Sequence, residues 1–259
     1  MKLRTLVRDC LYLNWALPVD SLPEPPAPLR YEVHEWQGRR LVFASALLFR
    51  QHGLRLAALP LPRLSYPQFN LRLYVFDGDG VPSVLFRRML VPAWAVPGGW
   101  LARQPMRAGR FAYPRLPSGD GAGQWRWRVS DGGALEVEAR AGSPATGEGP
   151  RFSSWEAMVQ YFRRRSRGYS EGRTGLHRID TEPPQTAVWP LAVQVGEARL
   201  LERLLSIEPW PALHSAFLCP EMPFVFELAP EARPALARPP APVAADPAIL
   251  SGPCRRAAA

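Results

Sequence analysis

The chain has 259 residues, 47% hydrophobic and 21% charged, which is enough apolar content for one large core or two small ones and too much for a disordered chain. Its formal charge is +9, yet Lys2 is the only lysine, and the arginines are scattered through most segments rather than gathered on one aromatic-interleaved stripe, so no nucleic-acid partner is expected. Cys10, Cys219 and Cys254 have no C-x-x-C spacing and suggest neither a disulfide framework nor a zinc site.

The longest apolar run, Leu41 to Phe49, is about half of what a membrane-spanning helix requires. The N-terminal MKLRTLVRDCLYLNW places Arg8 and Asp9 where a signal peptide needs an unbroken apolar region. These features predict a soluble, cytoplasmic protein with no membrane partner; they leave the oligomeric state open.

Along the chain, Leu6 to Trp15 predicts a strand and Val19 to Pro28 a proline-rich loop. Tyr31 to Trp36 and Arg39 to Arg50 flank Gln37-Gly38, the two-residue connection of a tight hairpin. Leu59 to Pro67 is broken by prolines, which cannot donate to a ladder, and reads as an exposed connection. Tyr66 to Phe86 then reads as a hairpin. In it Phe69, Leu71, Leu73 and Val75 alternate with Asn70, Arg72, Tyr74 and Phe76, so one face is wholly apolar and the other carries an amide, a guanidinium and aromatics. If the second face lines an enclosed space, that space is a polar-tipped pocket with aromatic walls.

Arg87 to Arg110 has no clean period and reads as a loop with at most one helical turn. Gln124 to Val129 and Leu135 to Arg140 read as paired strands, followed by a flexible Ala141 to Gly149 loop. Ser153 and Glu156 form an S-x-x-E capping box, and Trp155, Met158, Val159 and Phe162 supply a helical stripe at i, i+3, i+4 and i+7. The arginines after it, Arg163, Arg164, Arg165 and Arg167, read as a solvated cluster complementing the helix dipole. Leu176 to Thr181 and Val188 to Val195 predict strands, Ala198 to Ser206 a short helix, and His214 to Leu218 and Phe224 to Leu228 the last strands. The fold class is therefore mainly β (α+β), with a domain over 1–229 and a disordered Ala/Pro/Arg-rich tail over 230–259.

Two stretches imitate catalytic motifs. Val75 to Val81, VFDGDGV, has the D-x-D-G form of magnesium-dependent phosphatases, with Asp77 as nucleophile and Asp79 as acid/base. No lysine and no acidic pair follow it, so a hairpin turn is the simpler reading, with the phosphatase kept as an alternative. Gly168-Tyr169-Ser170-Glu171-Gly172 matches G-x-S-x-G, but a helix precedes it where a nucleophile elbow needs a strand, and it reads as a helix end closed by Gly168. The histidines show no metal-binding spacing; His214 is a candidate site residue because it opens a late strand. No metal and no cofactor is expected.

The segments LNWALPVDSL, YEVHEWQGRRLVFASALLF, SYPQFNLRLYV, VWPL and HSAFLCPEMPFVFEL, and above all the P-x-x-N-x-R-x-Y-V pattern of Pro67, Asn70, Arg72, Tyr74 and Val75, resemble the bacterial YqjF-like family. That family belongs to the acetoacetate decarboxylase-like superfamily, and the resemblance spans Thr5 to Pro230. It implies an antiparallel, cone-like β-barrel with a few peripheral helices and a central cavity into which Asn70 and Arg72 point. Decarboxylases of this type use a lysine as Schiff-base nucleophile, whereas the corresponding stretch here, Pro92 to Gly109, offers only Arg103 and Arg107, which cannot form an imine. The expectation is a cavity binding a small anionic organic molecule through Asn70, Arg72, Tyr74 and His214, without Schiff-base chemistry and with its status as an enzyme open. The alternative is a structural barrel in which Asn70 and Arg72 satisfy backbone groups and a carboxylate such as Glu35 or Glu227.

Overall fold

The computed structural model describes residues 2–59, 62–114, 123–144, 146–172, 175–182, 184–228 and 249–250. The first strands are β1 (Lys2–Pro18), β2 (Arg30–Tyr31), β3 (Val33–Trp36), β4 (Arg39–Leu56), β5 (Leu64–Phe76) and β6 (Pro82–Val91). A short 3-10 turn leads into α1 (Val96–Leu101), and β7 (Met106–Ala108), β8 (Arg110–Ala112), β9 (Gln124–Ser130), β10 (Ala134–Ala141) and β11 (Arg151–Phe152) follow. Then come α2 (Trp155–Arg163), β12 (Arg167–Gly172), β13 (Gly175–Thr181), β14 (Trp189–Glu197), α3 (Arg199–Leu205), β15 (Ser215–Leu228) and β16 (Ile249–Leu250).

The strand order β1-β4-β5-β6-β12-β13-β15 returns on itself because β15 also pairs with β1, from Lys2 opposite Glu227 to Asn14 opposite Ser215. The circuit is a closed barrel of seven strands. An odd number of strands cannot alternate direction all the way round, and the one parallel seam in the ring lies between β6 and β12. Gly168 sits in that seam because a Cβ there would lie 2.6 Å from the Phe86 ring. From β15 the sheet also branches outward through β14, β10 and β9 to β8.

This branching gives β5 two different environments. Phe69, Leu71 and Leu73 join Leu13, Trp15, Trp127, Val137 and Leu201 in a core between the outside of the barrel and the outer arm with α3. The opposite face of β5 looks into the barrel. There Tyr12, Phe43, Tyr74 and Phe217 pack against Met158, Val159, Tyr161 and Phe162 of α2, which plugs the interior. A strand buried on both sides still keeps the period-2 chemistry, apolar outward and polar inward.

The hairpin at Gln37-Gly38 forms as expected, both residues having positive φ (50° and 73°). Several expectations are corrected. Helix α2 is capped by Ser154, whose Oγ accepts from the Ala157 N–H, so Ser153 is not the cap. The arginines beyond it are not a solvated cluster, since Arg165 is buried against Glu32 and Arg167 bridges Asp77 and Asp79. G-x-S-x-G is not a helix end but strand β12, and buried Ser170 donates to the Gln104 side chain. The last two predicted strands are one, β15, with Pro220 inside it where the ladder to β1 skips Asp9, whose φ is 53°. Pro67 likewise lies within β5, paired with Arg50. The 87–110 stretch is ordered as the end of β6, α1 and β7 rather than a loop. Most of the Ala/Pro/Arg-rich tail falls outside the described residues; Ile249–Leu250 pair with Arg151–Phe152.

Candidate functional site

Between the α2 plug and the segment containing α1 the barrel holds a partly open cavity of about 360 Å³. All seven barrel strands line it, and its wall is mostly apolar: Val7, Leu47, Phe49, Val84, Met89 and Phe224 are typical. Four polar side chains form one stripe, because Gln68, Asn70 and Arg72 occupy alternate positions on β5 and Gln51 meets them from β4; Arg55, Gln104, Arg163, Arg165 and Thr181 lie elsewhere on the wall.

The stripe contains two bonded chains. In the first, Thr5 Oγ1 donates to Gln51 Oε1 (2.8 Å), Gln51 Nε2 to Gln68 Oε1 (3.2 Å) and Gln68 Nε2 to Asn70 Oδ1 (2.8 Å). Asn70 is the acceptor at the end of this chain, which does not use its own amide N–H groups. The second begins at Arg72, whose Nη2 donates to Phe162 O (2.6 Å) in the last turn of α2 and to the Tyr74 hydroxyl (3.0 Å). Tyr74 meets Ser45 (2.8 Å), Ser45 donates to Asn14 Oδ1 (2.6 Å), Asn14 donates to Ser215 (3.1 Å), and Ser215 meets His214 Nδ1 (3.2 Å).

Arg72 is 7% exposed and stacks over the Tyr12 and Tyr74 rings at 5.2 and 5.4 Å. Among the described residues no carboxylate lies within ion-pair distance of it, and its buried Nε has no hydrogen-bond partner. Glu35 and Glu227, the sequence-level candidates for neutralising it, are both exposed on the surface. The buried carboxylate nearby, Glu32, belongs instead to Arg165 (2.8 Å), which stacks on Tyr161 and Tyr74. The cavity wall thus carries two buried guanidiniums, Arg72 and Arg165, and the carboxylate is matched to the second.

Of the four predicted site residues, Asn70 and Arg72 line the cavity, while Tyr74 and His214 are not among its lining residues. Tyr74 stands behind Arg72 and orients it. His214 lies farther along the same chain, with Nε2 on Pro150 O (3.0 Å) and its ring against Phe43 and Phe152. Burial pushes its pKa down to about 4, which keeps it neutral. Sequence reasoning missed Gln51, Gln68 and Arg165. Gln68 was legible as the next step upstream in the β5 alternation; Arg165 was not, because only the fold brings it to Glu32.

Other groups are committed elsewhere. Burial raises the Asp77 carboxyl, but hydrogen bonds from Arg167, the Val81 N–H and Tyr169 outweigh it and hold the group below the usual range. With the Asp79 N–H as a further donor, Asp77 serves as the staple of the β5–β6 turn. Cys10 stands opposite Cys219 across the β1–β15 ladder, and burial pushes both thiols up, Cys219 to about 12. Neither is a thiolate nucleophile at neutral pH. Among the described residues no three His, Cys, Asp or Glu side chains converge as a metal site would require. Lys2, at the exposed start of β1, lies outside the cavity lining.

The family model described as "Uncharacterized conserved protein" (DUF2071) matches residues 5–223, and the chain belongs to that family. No curated protein sequence matches significantly. Among solved structures, the enduracididine biosynthesis enzyme MppR complexed with pyruvate is similar with a TM-score of 0.55 and 12% identity, covering 88% of each chain. An acetoacetate decarboxylase from Legionella pneumophila subsp. pneumophila str. Philadelphia 1 gives 0.54 and 10% identity, covering 88% of this chain and 85% of that one. An acetoacetate decarboxylase-like enzyme from Sphingomonas wittichii RW1 gives 0.51 and 15%, covering 86% and 89%. At these identities the likeness establishes the acetoacetate decarboxylase-like fold.

Proposed function

We propose that the barrel binds a small organic carboxylate, with the acid group on Arg72 and the Asn70 amide and an apolar body against the aliphatic and aromatic wall. The observation that carries this is Arg72 itself, a buried guanidinium in the cavity wall without a carboxylate partner among the described residues. A cation taken out of water is costly unless an anion or several hydrogen bonds meet it. Tyr74, Phe162 and two aromatic faces meet part of that need, and a carboxylate on the remaining guanidinium N–H groups meets the rest. The similarly folded MppR is described as complexed with pyruvate, a small carboxylate, which is consistent with such a ligand here.

Schiff-base chemistry at this cavity has no nucleophile, since no lysine lines it and an arginine stays protonated. The second reading is that Arg72 is a structural tether, favoured by its bond to Phe162 O at the end of α2. A thermal-shift screen of aliphatic and aromatic carboxylic acids against their amides and alcohols separates the two. Ligand at a hundred times its Kd stabilises by about 2.7 kcal/mol. Binding predicts stabilisation by acids alone, lost in Arg72→Gln; the tether predicts no response from any compound.

A further inference from the structure

We infer that the face of the barrel carrying α1 docks on an anionic lipid surface. Among the described residues the large exposed hydrophobic side chains are Leu59, Leu64, Trp94, Trp100 and Leu101. Trp100 is 68% and Leu101 85% exposed, and the five fall in two segments of the chain, Leu59 and Leu64 in one and Trp94, Trp100 and Leu101 in the other. These segments meet at one place: Leu64 and Leu101 line the same cavity, and Trp94 packs edge-on against Tyr66 at 5.6 Å. The apolar patch therefore surrounds the α1 side of the cavity, and its two tryptophans have the amphipathic shape that suits a bilayer interface.

Charge selects the occupant. No aspartate or glutamate occurs from Trp36 to Phe76 or from Gly80 to Gly119, whereas Arg55, Arg63 and Arg103 lie in or beside the patch segments. Arg63 and Arg103 are exposed. A second copy using this face in a two-fold dimer would set arginines against the same arginines. An anionic membrane gains about 1 kcal/mol per nearby arginine while the apolar side chains enter the interface. This departs from the expectation of no membrane partner, because the two segments are short and far apart in the chain and neither resembles an amphipathic helix.

The test is flotation of the full chain with vesicles of phosphatidylcholine and phosphatidylglycerol in equal parts, compared with phosphatidylcholine alone. Binding to the mixed vesicles only is expected, weakened by salt, about fivefold weaker in Arg63→Gln and at least about tenfold weaker in Trp100→Ser/Leu101→Ser. Unchanged melting of both variants shows that they fold. No flotation, or flotation indifferent to the double substitution, overturns the proposal. So does self-association in sedimentation that the double substitution abolishes without any vesicle binding, which would assign the face to a second copy.

Discussion

Replacing Arg72 and Arg165 separately by Met distinguishes a guanidinium held for a ligand from one held for the fold. Arg165→Met removes the ion-pair partner of Glu32 and leaves a buried carboxylate, its side chain 5% exposed, without its matching cation. Breaking such a pair costs about 3 to 5 kcal/mol. Arg72→Met leaves no carboxylate behind. It loses two hydrogen bonds to neutral acceptors and two cation–π contacts, but both acceptors keep other partners, since the Tyr74 hydroxyl still meets Ser45 and Phe162 O. The loss is opposed by removing the cost of burying an unmatched cation, itself several kcal/mol. The net change should stay within about 1 to 2 kcal/mol, and methionine fills much of the same volume. Urea unfolding followed by tryptophan fluorescence gives both values, with unchanged m-values confirming comparable native states. If Arg72→Met lost about 3 kcal/mol or more, alongside Arg165→Met, Arg72 would be a structural tether and the reasoning from its missing anion would fail.

His214 has a pKa of about 4 in the fold against 6.5 outside it, so the unfolded chain binds more protons between these values. Stability should therefore be unaffected by His214 above pH 6.5 and fall as pH drops from about 6.5 to 4, by up to about 3 kcal/mol; His214→Gln should flatten that part of the urea-measured profile relative to wild type, and parallel profiles would refute the assignment. Asp77→Asn weakens a staple accepting from two backbone N–H groups, Arg167 and Tyr169, and should cost about 2 to 4 kcal/mol in the same assay. The wild type should not hydrolyse p-nitrophenyl phosphate with magnesium; hydrolysis lost in Asp77→Asn would restore the phosphatase reading. Gly168→Ala drives a methyl toward the Phe86 ring in the parallel seam and should lower stability by about 1 to 3 kcal/mol, visible as a drop in Tm; an unchanged Tm would mean that the seam is looser than described.

The β5 pattern determined most of the site before any tertiary information. A strand has period 2, so Asn70, Arg72 and Tyr74 had to share a face opposite Phe69, Leu71 and Leu73, and the turn residues at 37–38 and 77–80 had to reverse the chain. The absence of any lysine beyond Lys2 equally removed imine chemistry whatever the fold. The sequence could not say that the apolar face of β5 packs outward, against an arm arriving some fifty residues later, while the polar face looks inward. Both faces are buried, and hydrophobic alternation distinguishes them without saying which one meets a cavity. Nor could it pair Glu32 with Arg165 rather than an acid with Arg72, because those partners are 133 positions apart and only barrel closure brings them together. The helix end, the strands split at prolines and the basic cluster were misread for the same reason. Local propensity fixes what a segment prefers, and ladder pairing with distant strands decides what it becomes.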